Sequence, residues 1–219
     1  MSINHHPGEE LLLEYITGAL TESWSLAVAT HLSFCAKCRK DESDIEALGG
    51  IMLESMPTVD VRPAMMTDII DNFEDAKLDN YPIEKNTGVS KRPRDVPAIL
   101  QTYLGGTNNI EWKKLGFGVT QNILLTSDKS AIVRLLKIPG GRSILEHSHN
   151  GPELTVVLSG QFSDQTGSYI QGDFQQTDET IKHKPQTVGN EPCVCLSVTN
   201  APLEFSGVVG RLLQPFLGI

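Results

Sequence analysis

The sequence predicts two unlike domains in one chain: a small all-helical domain, then an antiparallel β-barrel or sandwich. Three observations carry this. Apolar residues recur at helical spacing over residues 8–76, a polar stretch punctuated by proline follows, and beyond it the pattern changes to short Val- and Leu-rich segments separated by turn residues. The expected divisions are residues 1–78, a linker over 79–97, and 98–219.

Leu11, Leu12, Tyr15, Ile16 and Leu20 fall at three- and four-residue spacing and define the apolar face of a first helix, weakened at its end by Gly18. Thr21 is placed to cap a second helix, over Ser23 to Phe34, with Glu22 in its first turn. A third is expected from Lys37 to Glu54, across Gly49 and Gly50, and a fourth from Pro63 through Met65, Met66, Ile69, Ile70 and Phe73. Four short helices make a thin core, and domains under about 80 residues generally need a metal or a partner. Lys77 to Pro97, with Pro82, Pro93 and Pro97 among charged residues and asparagines, has little to bury. Strands are expected over Ala131 to Ile138, Leu154 to Leu158 and Val194 to Val198.

The chain has 219 residues and a net charge of −9, which repels phosphate backbones, so no direct nucleic-acid contact is expected. No apolar run resembles a signal sequence or membrane span, and a cytoplasmic location is expected. In a reducing compartment the four cysteines read as metal ligands or buried thiols.

His31, Cys35 and Cys38 form H-x3-C-x2-C. His31 and Cys35 share a helix face, and the Cys35–Cys38 interval suits two thiolates on one tetrahedral ion. Imidazole and thiolate donors favour zinc. A closed site needs a fourth ligand, and His5 or His6 can supply it. The motif resembles the zinc-binding anti-sigma fold, and that resemblance implies His6.

Gly141 to Gly160 matches G-x5-H-x-H-x3-E-x6-G, the first cupin motif, with His147, His149 and Glu153 at the metal positions. Residues two apart on a strand face one side, so both histidines point inward. His183 is the only histidine downstream and is the expected third imidazole; Gly172-Asp173 supplies the turn of a second, weaker motif. Such a shell accepts zinc, iron, manganese or nickel and leaves positions open for water or a ligand.

Three further features have bland readings. Cys193 and Cys195 share one strand face and are poorly placed for a disulfide, so buried thiols are expected. The acidic run Asp41, Glu42, Asp44 and Glu46 reads as a solvated helix face that can also meet a basic partner. Met52, Met56, Met65 and Met66 read as core, or as a groove for a partner helix.

Taken together, the two motifs, Tyr103-Leu-Gly-Gly106 and Gln214-Pro215-Phe216 resemble the ChrR anti-sigma factor group over essentially the whole chain. That resemblance implies a four-helix zinc domain, a cupin jelly roll, and 1:1 sequestration of an extracytoplasmic-function sigma factor, released under oxidative stress such as singlet oxygen. The rival reading is a cupin metalloenzyme, a dioxygenase or isomerase, with an accessory zinc domain.

Overall fold

The computed structural model describes residues 2–62, 64–75, 96–105, 110–116, 118–200 and 203–205; for 73–75, 149 and 203–205 it describes the backbone alone. Four helices come first: α1 (Glu9–Ile16), α2 (Glu22–Leu32), α3 (Ala36–Glu54) and α4 (Met65–Asp75). Gly18, at φ +71°, ends α1 in the left-handed conformation that glycine adopts without strain. The helix α3 runs through Gly49 and Gly50 without a break. Pro63, the expected start of the fourth helix, and most of the expected linker lie outside the described residues.

A fifth helix, α5 (Ala98–Tyr103), was not foreseen; six residues are too few to show a period. Among the described residues eleven strands follow. Those that matter here are β2 (Val119–Leu124), β3 (Ile132–Ile138), β4 (His147–His149), β5 (Glu153–Ser159), β6 (Gln161–Asp164), β7 (Gly167–Ile170), β8 (Phe174–Thr177) and β10 (Cys193–Thr199). With β1 (Lys113–Gly116), five of them form a six-stranded sheet in the order β1-β2-β3-β10-β5-β8. A three-stranded sheet contains β6 and β7, and β4 pairs with β11 (Leu203–Phe205). The described strands thus make an open cupin of three antiparallel sheets, not one continuously closed barrel.

The two faces of the large sheet differ sharply. Val133, Leu135, Leu154, Val156, Leu196 and Val198 point outward and form one buried cluster with Leu26 and Ala27 of α2 and Leu100 of α5. The inward face carries a polar row: Arg134, Ser197, Thr155 and Gln175 stand side by side across β3, β10, β5 and β8. The largest core therefore lies between the sheet and the helices, outside the barrel. Val96, at the end of the expected linker, is buried in it.

This packing supplies what the helical domain lacks by itself. Its own cluster comprises Leu12, Val28, Leu32 and the two cysteines Cys35 and Cys38. Thr21 occupies the N-cap position of α2, but its side chain makes no capping bond. It meets Ser130 instead, and the cap comes from the β2–β3 connection: Asp128 accepts from the Ser23 amide at 2.7 Å and from the Ser23 hydroxyl at 2.9 Å. Orphan amides at a helix start need an acceptor, and an anionic one also suits the helix dipole.

No helix among the described residues is long and apolar enough to cross a membrane.

Candidate metal centres

His6, His31, Cys35 and Cys38 converge, with one donor atom from each within 4.8 Å of the others. His6 Nδ1 lies 3.4 Å from Cys35 Sγ and 3.3 Å from Cys38 Sγ; His31 Nε2 lies 3.3 Å from Cys38 Sγ. A tetrahedral shell with bonds of about 2.0–2.3 Å separates its donors by roughly 3.3–3.8 Å, so the residues fit zinc. Cys35 is the N-cap of α3, and its sulfur accepts from the Cys38 amide. A helix start is a favourable place for a thiolate. Burial holds the His31 imidazole down at about 4, so it stays neutral, as a ligand must. Burial, then the neighbouring Cys35, push the Cys38 thiol up to about 12; a cation between the sulfurs is what would ionise both.

His5 is elsewhere. Its ring packs at a tilt against Tyr169, centroids 4.4 Å apart, and its Nδ1 is 3.4 Å from the buried Asp173 carboxylate.

The support for this cluster comes from the other domain. His31 Nδ1–H donates to the Gly172 carbonyl at 2.8 Å, which fixes the tautomer that points Nε2 at the sulfurs. Asp173 accepts from the amides of Asn4 at 2.8 Å and His5 at 3.0 Å, and the Phe174 amide donates to the His5 carbonyl. The β7–β8 turn thus holds both the segment carrying His6 and the ring of His31. Gly172 sits at φ +90°, and a Cβ there would lie 2.6 Å from Ile3 Cδ1 and 3.0 Å from Phe34 Cβ. Only glycine lets the turn come so close.

The second cluster is His147, Glu153 and His183, all buried, with donor atoms again within 4.8 Å of one another. His147 and His183 form an antiparallel bridge, and their Nε2 atoms are 3.1 Å apart. His147 Nδ1–H donates to the Leu145 carbonyl and His183 Nδ1–H to Asp164 at 2.9 Å, so both lone pairs face the shared point. Glu153 Oε2 is 3.7 Å from His183 Nε2, while its Oε1 accepts from Ser197 at 2.7 Å. His149 shares β4 with His147, two residues along; its side chain is outside the described residues. The donor set fits a divalent transition ion.

Asp164 escaped the sequence reading, because an aspartate beside the Gln165–Gly167 turn has the ordinary look of a turn residue. Burial works against its charge, but hydrogen bonds from His183, Thr166 and Gln175 hold its carboxyl well below the usual range. Gln175 donates to it at 2.8 Å. A bonded route therefore joins the clusters: His31 to Gly172, along the backbone to Gln175, and across to Asp164 and His183.

Cys193 and Cys195 are buried free thiols. Contact with Cys193, then burial, raises the Cys195 thiol well above its ordinary value. Asp41 and Asp44, from the acidic run, pair with Lys37 and Lys40 on the same helix. Met52, Met56, Met65 and Met66 are exposed, so they are not core.

A cupin with an inward His–Glu cluster, joined to helices with a His–Cys cluster, defines a two-centre protein whose helical part is docked on the barrel's outer face. Residues 101–203 match the family model described as ChrR Cupin-like domain. The chain is 38% identical to the anti-sigma-E factor ChrR of Cereibacter sphaeroides, over the full length of both. It is also similar to the Rhodobacter sphaeroides structure of SigE in complex with the anti-sigma ChrR: 36% identity, 90% of this chain and 99% of that one, TM-score 0.74. The chain belongs to the ChrR family of anti-sigma factors.

Proposed function

We propose that the chain is a cytoplasmic anti-sigma factor. It sequesters an extracytoplasmic-function sigma factor through the helical domain, residues 1–78, and the barrel, residues 98–219, governs release. The observation that carries this reading is an uncovered apolar face. Leu48, Ile51, Met52 and Leu53 of α3 and Met66, Ile69 and Ile70 of α4 are all exposed, as are Met56, Val59 and Val61 between them. Exposed apolar side chains in such number over one stretch of chain mark a binding region. The relative's complex with SigE supports a sigma factor as its occupant. The chain's net charge of −9 suits the basic, DNA-contacting surfaces of such a partner.

Zinc held by His6, His31, Cys35 and Cys38 would clamp the start of the chain, α2 and α3 into one unit. A divalent metal at His147, Glu153 and His183, with His149, would occupy the barrel. Each supplies Lewis acidity and fixed charge; the protein's part is to orient the donors. Release under oxidant requires the barrel to change the helical domain, and the Gly172–Gln175 segment is the element both clusters share. This is regulation and not turnover, and no residue is assigned a catalytic role.

The test is co-purification of the full chain with its sigma factor. Met66→Asp combined with Ile70→Asp should abolish a 1:1 complex while both metals and the fold remain. Complex formation by that variant at native strength would remove the apolar face from the explanation.

A further inference from the structure

The two metal centres leave Arg134 unexplained. It is 5% exposed, lies on β3 and faces the barrel interior. Its Nε is buried with no hydrogen-bond partner, and among the described residues no hydrogen bond or ion pair reaches its guanidinium. A buried guanidinium without an acceptor is costly, and buried charges are ordinarily paired, so a bound anion would relieve this one. Thr199 Oγ1, also facing the cavity, is likewise buried without a partner.

The surroundings define what would bind. Arg134, His147, Glu153, His183 and Thr199 line one cavity of about 100 Å³. Arg134 stands directly opposite Ser197, whose hydroxyl binds Glu153, so the guanidinium is one residue removed from the metal ligand. Glu153 is also the charge that offsets part of the burial of Arg134. A metal at the cluster would claim that carboxylate. With a divalent cation on neutral imidazoles, Glu153 cancels one charge and Arg134 adds one, which leaves the pocket doubly positive. The rest of the wall is apolar: Leu115, Val119, Leu136, Ile138, Ile144 and Phe162.

We infer that the barrel cavity is a binding site for a small monocarboxylate with a short aliphatic tail, its carboxylate held between Arg134 and the barrel metal. Guanidinium and carboxylate match in geometry as well as charge, and the tail lies along the apolar wall. A cavity of this size suits a molecule of about six non-hydrogen atoms. The inference rests on the metal-centre reading of the barrel, both through the charge count and through the metal's contact with the carboxylate.

Butanoate and n-butanol separate charge from shape. Calorimetric titration of the full-length, zinc-loaded chain should show 1:1 butanoate binding and at least about tenfold weaker n-butanol binding. Arg134→Met should weaken butanoate about ten- to a hundredfold, as loss of a charge-assisted pair does, and Arg134→Lys should recover part of it. Equal affinity for the two probes overturns the inference, and this comparison needs no variant to fold. So does native butanoate affinity in a folded Arg134→Met protein, or no butanoate binding when metal analysis shows the barrel loaded. A barrel that takes up no metal would overturn the metal reading instead, and butanoate binding by that same protein would then decide the Arg134 site by itself.

Discussion

The His–Cys cluster and the His–Glu cluster are built on opposite plans. Every described support of the barrel cluster is local: Leu145, Asp164 and Ser197 belong to the domain whose histidines and carboxylate they orient. The His–Cys cluster draws its donors from the chain start, α2 and the head of α3, and it is oriented by a carbonyl from the other domain. A site built across a junction reports on that junction. The difference teaches that the helical domain leans on the barrel's outer face as well as on its own His–Cys cluster, so that a disturbance at either support should be felt by the helices.

The largest effect expected follows from removing the ion. In Cys35→Ser or Cys38→Ser, bound metal should fall from two per chain to one, and sigma-factor co-purification should be lost, since a structural zinc contributes on the order of 10 kcal/mol to folding in small domains. Retention of the complex by a one-metal protein would show that the barrel's face suffices to hold the helices. Leu26→Ala attacks the other support. It removes a fully packed side chain from the interdomain core and should lower stability by about 2–5 kcal/mol. The comparison predicts one cooperative unfolding transition in calorimetry for the wild type, moved to lower temperature as a whole. Two transitions, only one of them shifted, would mean the domains are independent.

Two smaller changes test the asymmetry of the supports. Asp164→Asn replaces the acceptor of His183 and should weaken the barrel metal about 10- to 100-fold, as loss of such a partner does, with the zinc of the helical domain unchanged. Gly172→Ala should do the reverse. Its methyl group meets Ile3 and Phe34 at a strained φ, so chelators should strip the His–Cys site faster while the barrel metal is kept. Loss of both metals together in either variant would break the distinction between a local and a junctional centre.

The sequence carried much of this because the ligand spacings are short. H-x3-C-x2-C spans the end of α2 and the start of α3, so His31 and Cys35 meet across a turn and not on one helix face as expected, and the cupin motif covers two consecutive strands; both could still be read from neighbours in the chain. The four N-terminal helices and the strands around β3, β5 and β10 were likewise legible as local periods. What could not be read was long-range. Asp128 caps a helix 105 residues away, Gly172 meets His31 across 141, and nothing in the local pattern of either residue announces it. The choice of His6 over His5 is of the same kind, since Asp173 holds His5 on the barrel and turns the next residue toward the sulfurs. Arg134 left a faint signal, a charge in the Val- and Leu-rich β3, but only the pairing with Ser197 shows which way it faces.

The smallest expected effect concerns acid. Burial opposes the charge on Asp128, but hydrogen bonds from Ser23 and Ser130 outweigh it and hold the carboxyl at about 2. A group whose folded value is depressed stabilises the folded state above its unfolded value and loses that contribution as pH falls toward the folded one. The window here runs from the ordinary 3.8 down to about 2. Asp128 is a bond between domains, so acid in this range should loosen the start of α2, and faster amide exchange at Ser23 would report it. Asp128→Asn should show the looser exchange already at neutral pH and lose the pH dependence, with a modest change in stability, because the carboxylate lies near solvent. If wild type and Asp128→Asn respond alike from pH 5 to pH 2, the cap is not what couples α2 to the β2–β3 connection, and the apolar contact of Leu26 and Ala27 carries the junction without it.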